Sequence, residues 1–180
     1  MANEDRNAGM ADDEQLIVFE LASECYGVEI SAVNTIIRMQ EITEIPRSPE
    51  FVEGVINLRG SIIPVIDLRK RFALPATEPT KASRIVVVES CGLLIGVVVD
   101  AVTETLRLPN ESIEPPSPIV TSVDSEYVRG VGKLDGRLVI LLGLDKVLSG
   151  KEMTAVSKST AKAAGKAEKE AAAEMEAIAA

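Results

Sequence analysis

FVEGVINLRGSIIPVIDLRKRF, from Phe51 to Phe72, reads as a tight hairpin. Its arms, Val52 to Leu58 and Ile62 to Leu68, are rich in Val, Ile and Leu, which suit a pleated, half-buried surface. Arg59, Gly60 and Ser61 lie between them. A near copy follows 76 positions on, in VRGVGKLDGRLVILLGLDKVL, Val128 to Leu148. It sets Val128 on Val52, Gly130 on Gly54, Val131 on Val55, Leu134 on Leu58, Gly136 on Gly60, Leu144 on Leu68 and Lys146 on Lys70. A second match, at a spacing of 69, sets Gly96, Val97, Ala101, Val102 and Arg107 on Gly27, Val28, Ala32, Val33 and Arg38. The chain is a duplication. Growth of the spacing from 69 to 76 locates a seven-residue insertion between Pro109 and Tyr127, where Pro115, Pro116 and Pro118 forbid regular ladder pairing.

Each copy opens with a hairpin of its own. In the first, Leu16 to Leu21 and Tyr26 to Ile30 flank a polar turn at Ser23 and Glu24; in the second, Ile85 to Glu89 and Leu93 to Val99 flank Cys91-Gly92. Ser31 has the chemistry of an N-cap, and Val33, Ile36 and Ile37 at helical spacing predict a short helical turn after it. A short extended piece, Glu41 to Ile45, ends at Pro46, and Leu74 to Lys81, with Pro75 and Pro79, reads as a linker. Two sets of short strands with regular turn signals predict an all-β chain of two small barrels, the first over about 15–73 with packing from the chain end, the second over about 82–148. About 60 residues bury a poor core alone, so the two barrels are expected to share an apolar seam, which is also where a partner could enter. Close approach of backbone is the expected reason for Gly54.

The flanks differ. Residues 1–14 carry Glu4, Asp5, Asp12, Asp13 and Glu14 with no large apolar stripe, and are expected to be disordered. Residues 151–180 turn to Ala, Lys and Glu, a helix-prone tail interrupted near Gly165, either solvated and frayed or docked.

Composition narrows the function. A length of 180 residues with 46% hydrophobic content suffices for a core. A net charge of −9 argues against nucleic-acid partners, which need a cationic patch. There is no histidine, so Ser-His and Cys-His nucleophile pairs and the commonest metal ligand are absent. Cys25 and Cys91 lack metal or redox spacing and read as ordinary core or edge residues. Gly130 to Lys133 fails as a phosphate loop, since Tyr127 and Leu134 stand where Gly and Ser or Thr are needed. Asp67, Asp100, Asp124, Asp135 and Asp145 fall mostly at turns and caps and signal no catalytic pair. The longest uncharged apolar run, Cys91 to Val99, is about half a membrane span, and the acidic N-terminus is unlike a signal peptide. The expectation is a cytoplasmic, non-enzymatic protein with no cofactor, no metal and no membrane insertion.

YGVEI at Tyr26 to Ile30, SPEFVEGVINLRGSIIPVIDLRKRF at Ser48 to Phe72, GVVVDAV at Gly96 to Val102 and EYVRGVGKLDGRLVILL at Glu126 to Leu142 together resemble the CheW-like domain family of bacterial chemotaxis coupling proteins. The resemblance spans roughly residues 15–150. It implies two SH3-like five-stranded β-barrels around a shared apolar core, and an adaptor that joins the cytoplasmic tips of methyl-accepting chemoreceptors to the regulatory domain of the histidine kinase CheA in signalling arrays. It carries Arg59, in NLRG, over to the receptor contact, where the bland alternative is an exposed turn arginine. It likewise carries over Ile30, Val33 and Ile36 as an apolar receptor-facing patch, and Val98 and Val99 as the groove's other wall, though both sets also suit a core. For the kinase side, Ile42 and Ile45 on the short extended segment and Ile119 in the insertion are the candidates, being apolar residues on exposed connections.

Two features depart from the family pattern. Thr35 stands where similar proteins usually have an acidic residue in V-x-E-I, which removes a charge from that part of the patch, and the Ala-rich tail has no counterpart. Three rival readings remain at this level. An adaptor of a non-chemotactic sensory array would use the same contacts. A small-ligand barrel would need a closed pocket with convergent polar groups. A hydrolase without histidine would be left with carboxylate or lysine chemistry.

Overall fold

A computed structural model of the chain describes residues 13–116, 126–134 and 136–147. The expected tail, most of the acidic N-terminus and Ile119 lie outside them. Eleven strands follow in chain order: β1 Asp13–Leu21, β2 Glu24–Glu29, β3 Val33–Arg38, β4 Val52–Leu58, β5 Ser61–Asp67, β6 Arg84–Ser90, β7 Leu93–Val99, β8 Ala101–Pro109, β9 Ile113–Glu114, β10 Val128–Leu134 and β11 Arg137–Leu142. Two single helical turns, α1 Leu68–Arg71 and α2 Leu144–Val147, close the two copies. The fold is all-β, as expected, in two curled sheets that fit the SH3-like type.

The sheets do not follow the repeat boundary. One has the order β8-β1-β2-β11-β10-β9 and the other β3-β6-β7-β5-β4, so each takes its first hairpin from one copy and its remaining strands from the other. The division by chain order into 15–73 and 82–148 is therefore corrected: the copies have exchanged hairpins. The registers state the exchange residue by residue. Val65 on β5 lies beside Gly96 on β7, and Leu141 on β11 lies beside Gly27 on β2, the same two positions of the repeat with the copies interchanged. Val33 opposite Val88 and Val102 opposite Phe19 repeat the pattern at the outer strands.

Both sheets curl back on themselves. In the six-stranded sheet the outermost strands, β8 and β9, are separated only by the 3-10 turn Asn110–Ser112, which spans at most about 10 Å. In the five-stranded sheet Thr43, just after β3, pairs with Val55 on β4 at the far edge. That pairing explains Gly54, whose backbone φ is +150° and where a Cβ would sit 2.1 Å from the Thr43 carbonyl oxygen. The hairpins are two-residue loops with positive φ at both central residues, Ala22-Ser23, Arg59-Gly60 and Cys91-Gly92, the turn whose twist matches the strands it joins.

Three apolar clusters result. Leu16, Val18, Leu108, Val139 and Leu141 fill one side of the six-stranded sheet, and Ile56, Ile63, Val65, Ile85 and Val87 fill the corresponding side of the other. The third cluster draws buried residues from both sheets and from the ends of the two copies at Leu68, Phe72 and Val147, and this shared seam outweighs either interior. Its centre is a row of rings, Phe19 to Tyr26 at 5.9 Å, Tyr26 to Phe72 at 6.2 Å and Phe72 to Tyr127 at 5.3 Å between centroids.

Local expectations need three further corrections. Val33 to Arg38 is a strand paired with β6, and the only helical turn nearby is the 3-10 turn Ile30–Ala32 before it. Ser31 lies inside that turn and does not cap it; Glu29 precedes it and makes no side-chain capping bond. Asp13 and Glu14 belong to β1, where they pair opposite Pro109 and Leu108.

Candidate partner-binding surface

The segment from Ile30 to Ile45 runs along the edge of the five-stranded sheet. β3 bonds β6 on one side and lies at the end of the strand order. A β-bulge between Val33 and Thr35 sets which side chains face outward. Ile36 then points outward at 37% exposure, and Ile30, in the turn before the strand, is exposed to the same degree. Val33 is half-buried and packs on the shared seam, and Ile37 packs toward the sheet's own interior. Thr35 is half-buried opposite Val87.

Arg59 is exposed at the tip of the β4–β5 hairpin, with a backbone φ of +52°. The turn is held by the Asn57 side-chain oxygen, which accepts from the Gly60 N–H at 2.9 Å. A non-glycine residue in this region costs roughly 1 kcal/mol, so the arginine is presented by a constrained backbone.

Val98 and Val99 separate. Val99 is fully buried in the shared seam and packs there, which corrects its assignment to a groove wall. Successive strand residues face opposite ways, so Val98 turns toward the other side. There it lines a surface groove of about 540 Å³ together with Met39, Ile42, Asp67, Arg69 and Asp100. One groove thus holds a residue assigned to the receptor, Val98, and one assigned to the kinase, Ile42. Ile45 is half-buried nearby in sequence, its carbonyl accepting from the Ser48 hydroxyl at 2.9 Å.

Ion pairs frame these surfaces. Arg69 donates from Nε to Asp100 at 3.0 Å and from a terminal nitrogen to the second carboxylate oxygen, and holds the Pro75 carbonyl at 2.7 Å. That hydrogen bonding holds the Asp100 carboxyl below its ordinary range, with help from the Ala22 N–H. Asp67 goes the other way: burial pushes its carboxyl up, against the bond from the Arg69 N–H that makes it the cap of α1. Lys70 pairs with Glu53 at 2.6 Å, and its ammonium is raised by that bond. On the six-stranded sheet Arg129 grips Glu14 through two bonds, 2.8 and 2.6 Å, and holds that carboxyl down. These carboxylates are engaged by cations or backbone donors, an arrangement for fastening strands together. Among the described residues no three His, Cys, Asp or Glu side chains are grouped as a metal site, and no helix is long and apolar enough to cross a membrane.

Sequence reasoning did not foresee the Arg69–Asp100 contact or the exposure of Leu93 at 38% and Leu138 at 44%. The only signal was that Arg69 and Asp100 both fall in the stretches that carry the family resemblance, PVIDLRKRF and GVVVDAV.

Comparison with known proteins gives one consistent result. The CheW-like domain matches residues 15–152. The chemotaxis protein CheW of Klebsiella aerogenes is 35% identical over 156 residues, covering 87% of this chain and 94% of that protein. The chemotaxis protein CheW of Treponema pallidum is 32% identical over 143 residues, covering 77% and 84%. Among solved structures, the scaffolding protein TtCheW from Thermoanaerobacter tengcongensis superposes with a TM-score of 0.72 at 44% identity, covering 77% of this chain and 94% of that one.

Proposed function

This chain belongs to the CheW-like domain family, and from that premise we propose that it is a non-enzymatic adaptor of chemotaxis signal transduction, coupling chemoreceptor cytoplasmic tips to a CheA-type histidine kinase. The observation that carries this reading is the family match over residues 15–152 joined to an outward-facing apolar edge at Ile30 and Ile36. The constrained, exposed Arg59 supports it further.

In this reading Ile30, Ile36 and Arg59 meet the receptor, with Val33 behind them and Val98 in the adjoining groove. Ile42, Ile45 and Ile119 serve the kinase. The protein works in the cytoplasm, recruited to membrane receptor arrays by these contacts. An adaptor of this kind transmits a receptor's change of state only through affinities that differ between states, so coupling is differential binding.

Co-sedimentation with chemoreceptor-bearing membranes, with and without a CheA-type kinase, tests the reading. The expected result is recruitment of the chain to receptor membranes and of kinase through it, with Arg59→Ala about tenfold weaker. Absence of binding by the folded parent to either partner contradicts it.

A further inference from the structure

The exchange of hairpins gives the two halves of the molecule equivalent surroundings, and the contacts of Asp100 break that equivalence. Asp100 lies at the crossover from β7 to β8, where the chain leaves the five-stranded sheet for the six-stranded one. Its N–H donates to the Glu20 carbonyl at 3.0 Å, and its carboxylate accepts from the Ala22 N–H at 3.0 Å, both on the β1–β2 hairpin. The same carboxylate is gripped by Arg69, which follows β5 of the other sheet and also holds the connector through Pro75. One carboxylate therefore ties both sheets and the linker together.

At the equivalent positions of the other copy, Ser31 replaces Asp100 and Asp145 replaces Arg69. No ionic attraction is available between a hydroxyl and a carboxylate, and the Ser31 hydroxyl turns to Glu29 of its own turn at 3.5 Å. Where the clamp would be there is a cleft of about 230 Å³, lined by Glu29, Ala32, Cys91, Arg129, Gly143 and Asp145 among others. Cys91 stands at the position of Ala22. Across this side the Ser90 hydroxyl reaches the Leu144 carbonyl at 3.3 Å, a neutral bond near the long end of the range.

We propose that the Arg69–Asp100 pair is a one-sided clamp that sets the relative orientation of the two sheets, with the cleft between Ala32 and Asp145 as the side that widens and narrows. Arg69 and Asp100 are positioning residues in this scheme. The device is independent of which partner the cleft meets, so it stands or falls separately from the adaptor reading.

Inter-sheet distance in the isolated protein tests it. Spin labels go on Ser61→Cys, at the start of β5, and Thr105→Cys, on β8, in a background carrying Cys25→Ala and Cys91→Ser; Ser61 and Thr105 are exposed. Asp100→Asn and Arg69→Gln are compared with Arg69→Lys, which keeps charge without the two-pronged grip, and with Lys133→Gln, which breaks the Lys133–Glu114 ion pair within the six-stranded sheet and away from the cleft. The expected result is a distance distribution at least twice as wide in Asp100→Asn and Arg69→Gln, intermediate in Arg69→Lys, and unchanged in Lys133→Gln. An unchanged width in the folded clamp variants overturns the proposal, as does equal broadening in Lys133→Gln. Loss of cooperative unfolding in the clamp variants also overturns it, because the pair would then be holding the fold and not the orientation.

Discussion

Arg71 and Val147 occupy the same position in the two copies of the repeat, and the Arg71 Nε donates to the Val147 carbonyl oxygen across 2.6 Å. The guanidinium lies over the rings of Phe51, at 4.8 Å, and Tyr127, at 5.0 Å, which are themselves equivalent positions. Arg71 is therefore where the two copies meet, a single cation between paired rings. Removing it loses a charge-assisted hydrogen bond and two ring contacts, so Arg71→Ala is expected to cost about 2–3 kcal/mol of unfolding free energy. Arg71→Lys, unable to stack as a plane, should recover less than half. Urea denaturation decides it, and a loss below about 0.5 kcal/mol in the alanine variant would show that the contact is decorative.

Two glycines at positive φ separate conformational strain from steric exclusion. At Gly54 an added Cβ meets the Thr43 carbonyl oxygen at 2.1 Å, while at Gly60, with φ +87°, nothing lies within 4 Å. Gly60→Ala is expected to cost about 1 kcal/mol from backbone strain alone, and Gly54→Ala at least about 3 kcal/mol as the Thr43–Val55 bridge is driven apart. Thermal melts of the two variants would reveal similar losses if the bridge were free to move.

Acid should act on the carboxylates with opposite signs. Asp100 and Glu14 are held below their ordinary values by Arg69 and Arg129, so the stability they contribute is present above those ordinary values, 3.8 and 4.5, and is lost as pH falls through the depressed folded ones. Asp67 is raised by burial, so its ionised form is penalised in the fold and acidification through its folded pKa relieves that penalty. Asp67→Asn keeps a good cap without the charge. It should be neutral or slightly stabilising at pH 7 and should steepen the acid limb, whereas Asp100→Asn should destabilise at pH 7 and flatten it. Unfolding midpoints between pH 2.5 and 7, in about half-unit steps, would expose a wrong sign for either residue.

Surface and core should part along β3. Ile36→Asp alters an outward-facing residue and is expected to weaken receptor-membrane binding about tenfold with little change in melting temperature. Val99→Asp places a charge in the shared seam and should prevent folding. Val33→Asp, half-buried against that seam, is expected to lose several kcal/mol, so its effect on binding would reflect stability. Equal melting temperatures for Ile36→Asp and Val33→Asp would contradict this division.

The duplication, the hairpins and the shared seam were legible because they rest on local signals: Gly-containing turns, runs of Val and Ile, and matched spacings. The exchange of hairpins was not. A repeat says which segments are alike, and Val65 beside Gly96 obeys the pattern as well as pairing within one copy would. Val33, Ile36 and Ile37 read as helical because the bulge at Val33/Thr35 shifts the two-residue alternation by one, leaving a spacing that mimics a helix. In the run Val97-Val98-Val99 every residue is apolar, so nothing in the letters tells the buried Val99 from the groove-lining Val98. Arg59 was legible as an exposed turn residue, since the hairpin around it fixes its place.

Titration of this chain into receptor membranes with a fixed amount of CheA-type kinase tests most directly whether one molecule bridges the two partners. A bridge predicts kinase activity that rises with added protein and then falls in excess, as free adaptor occupies receptor and kinase separately; Arg59→Ala should shift the rise to about tenfold higher concentration. A curve that climbs to a plateau and stays there, or no change in kinase activity with the folded parent, would contradict the account.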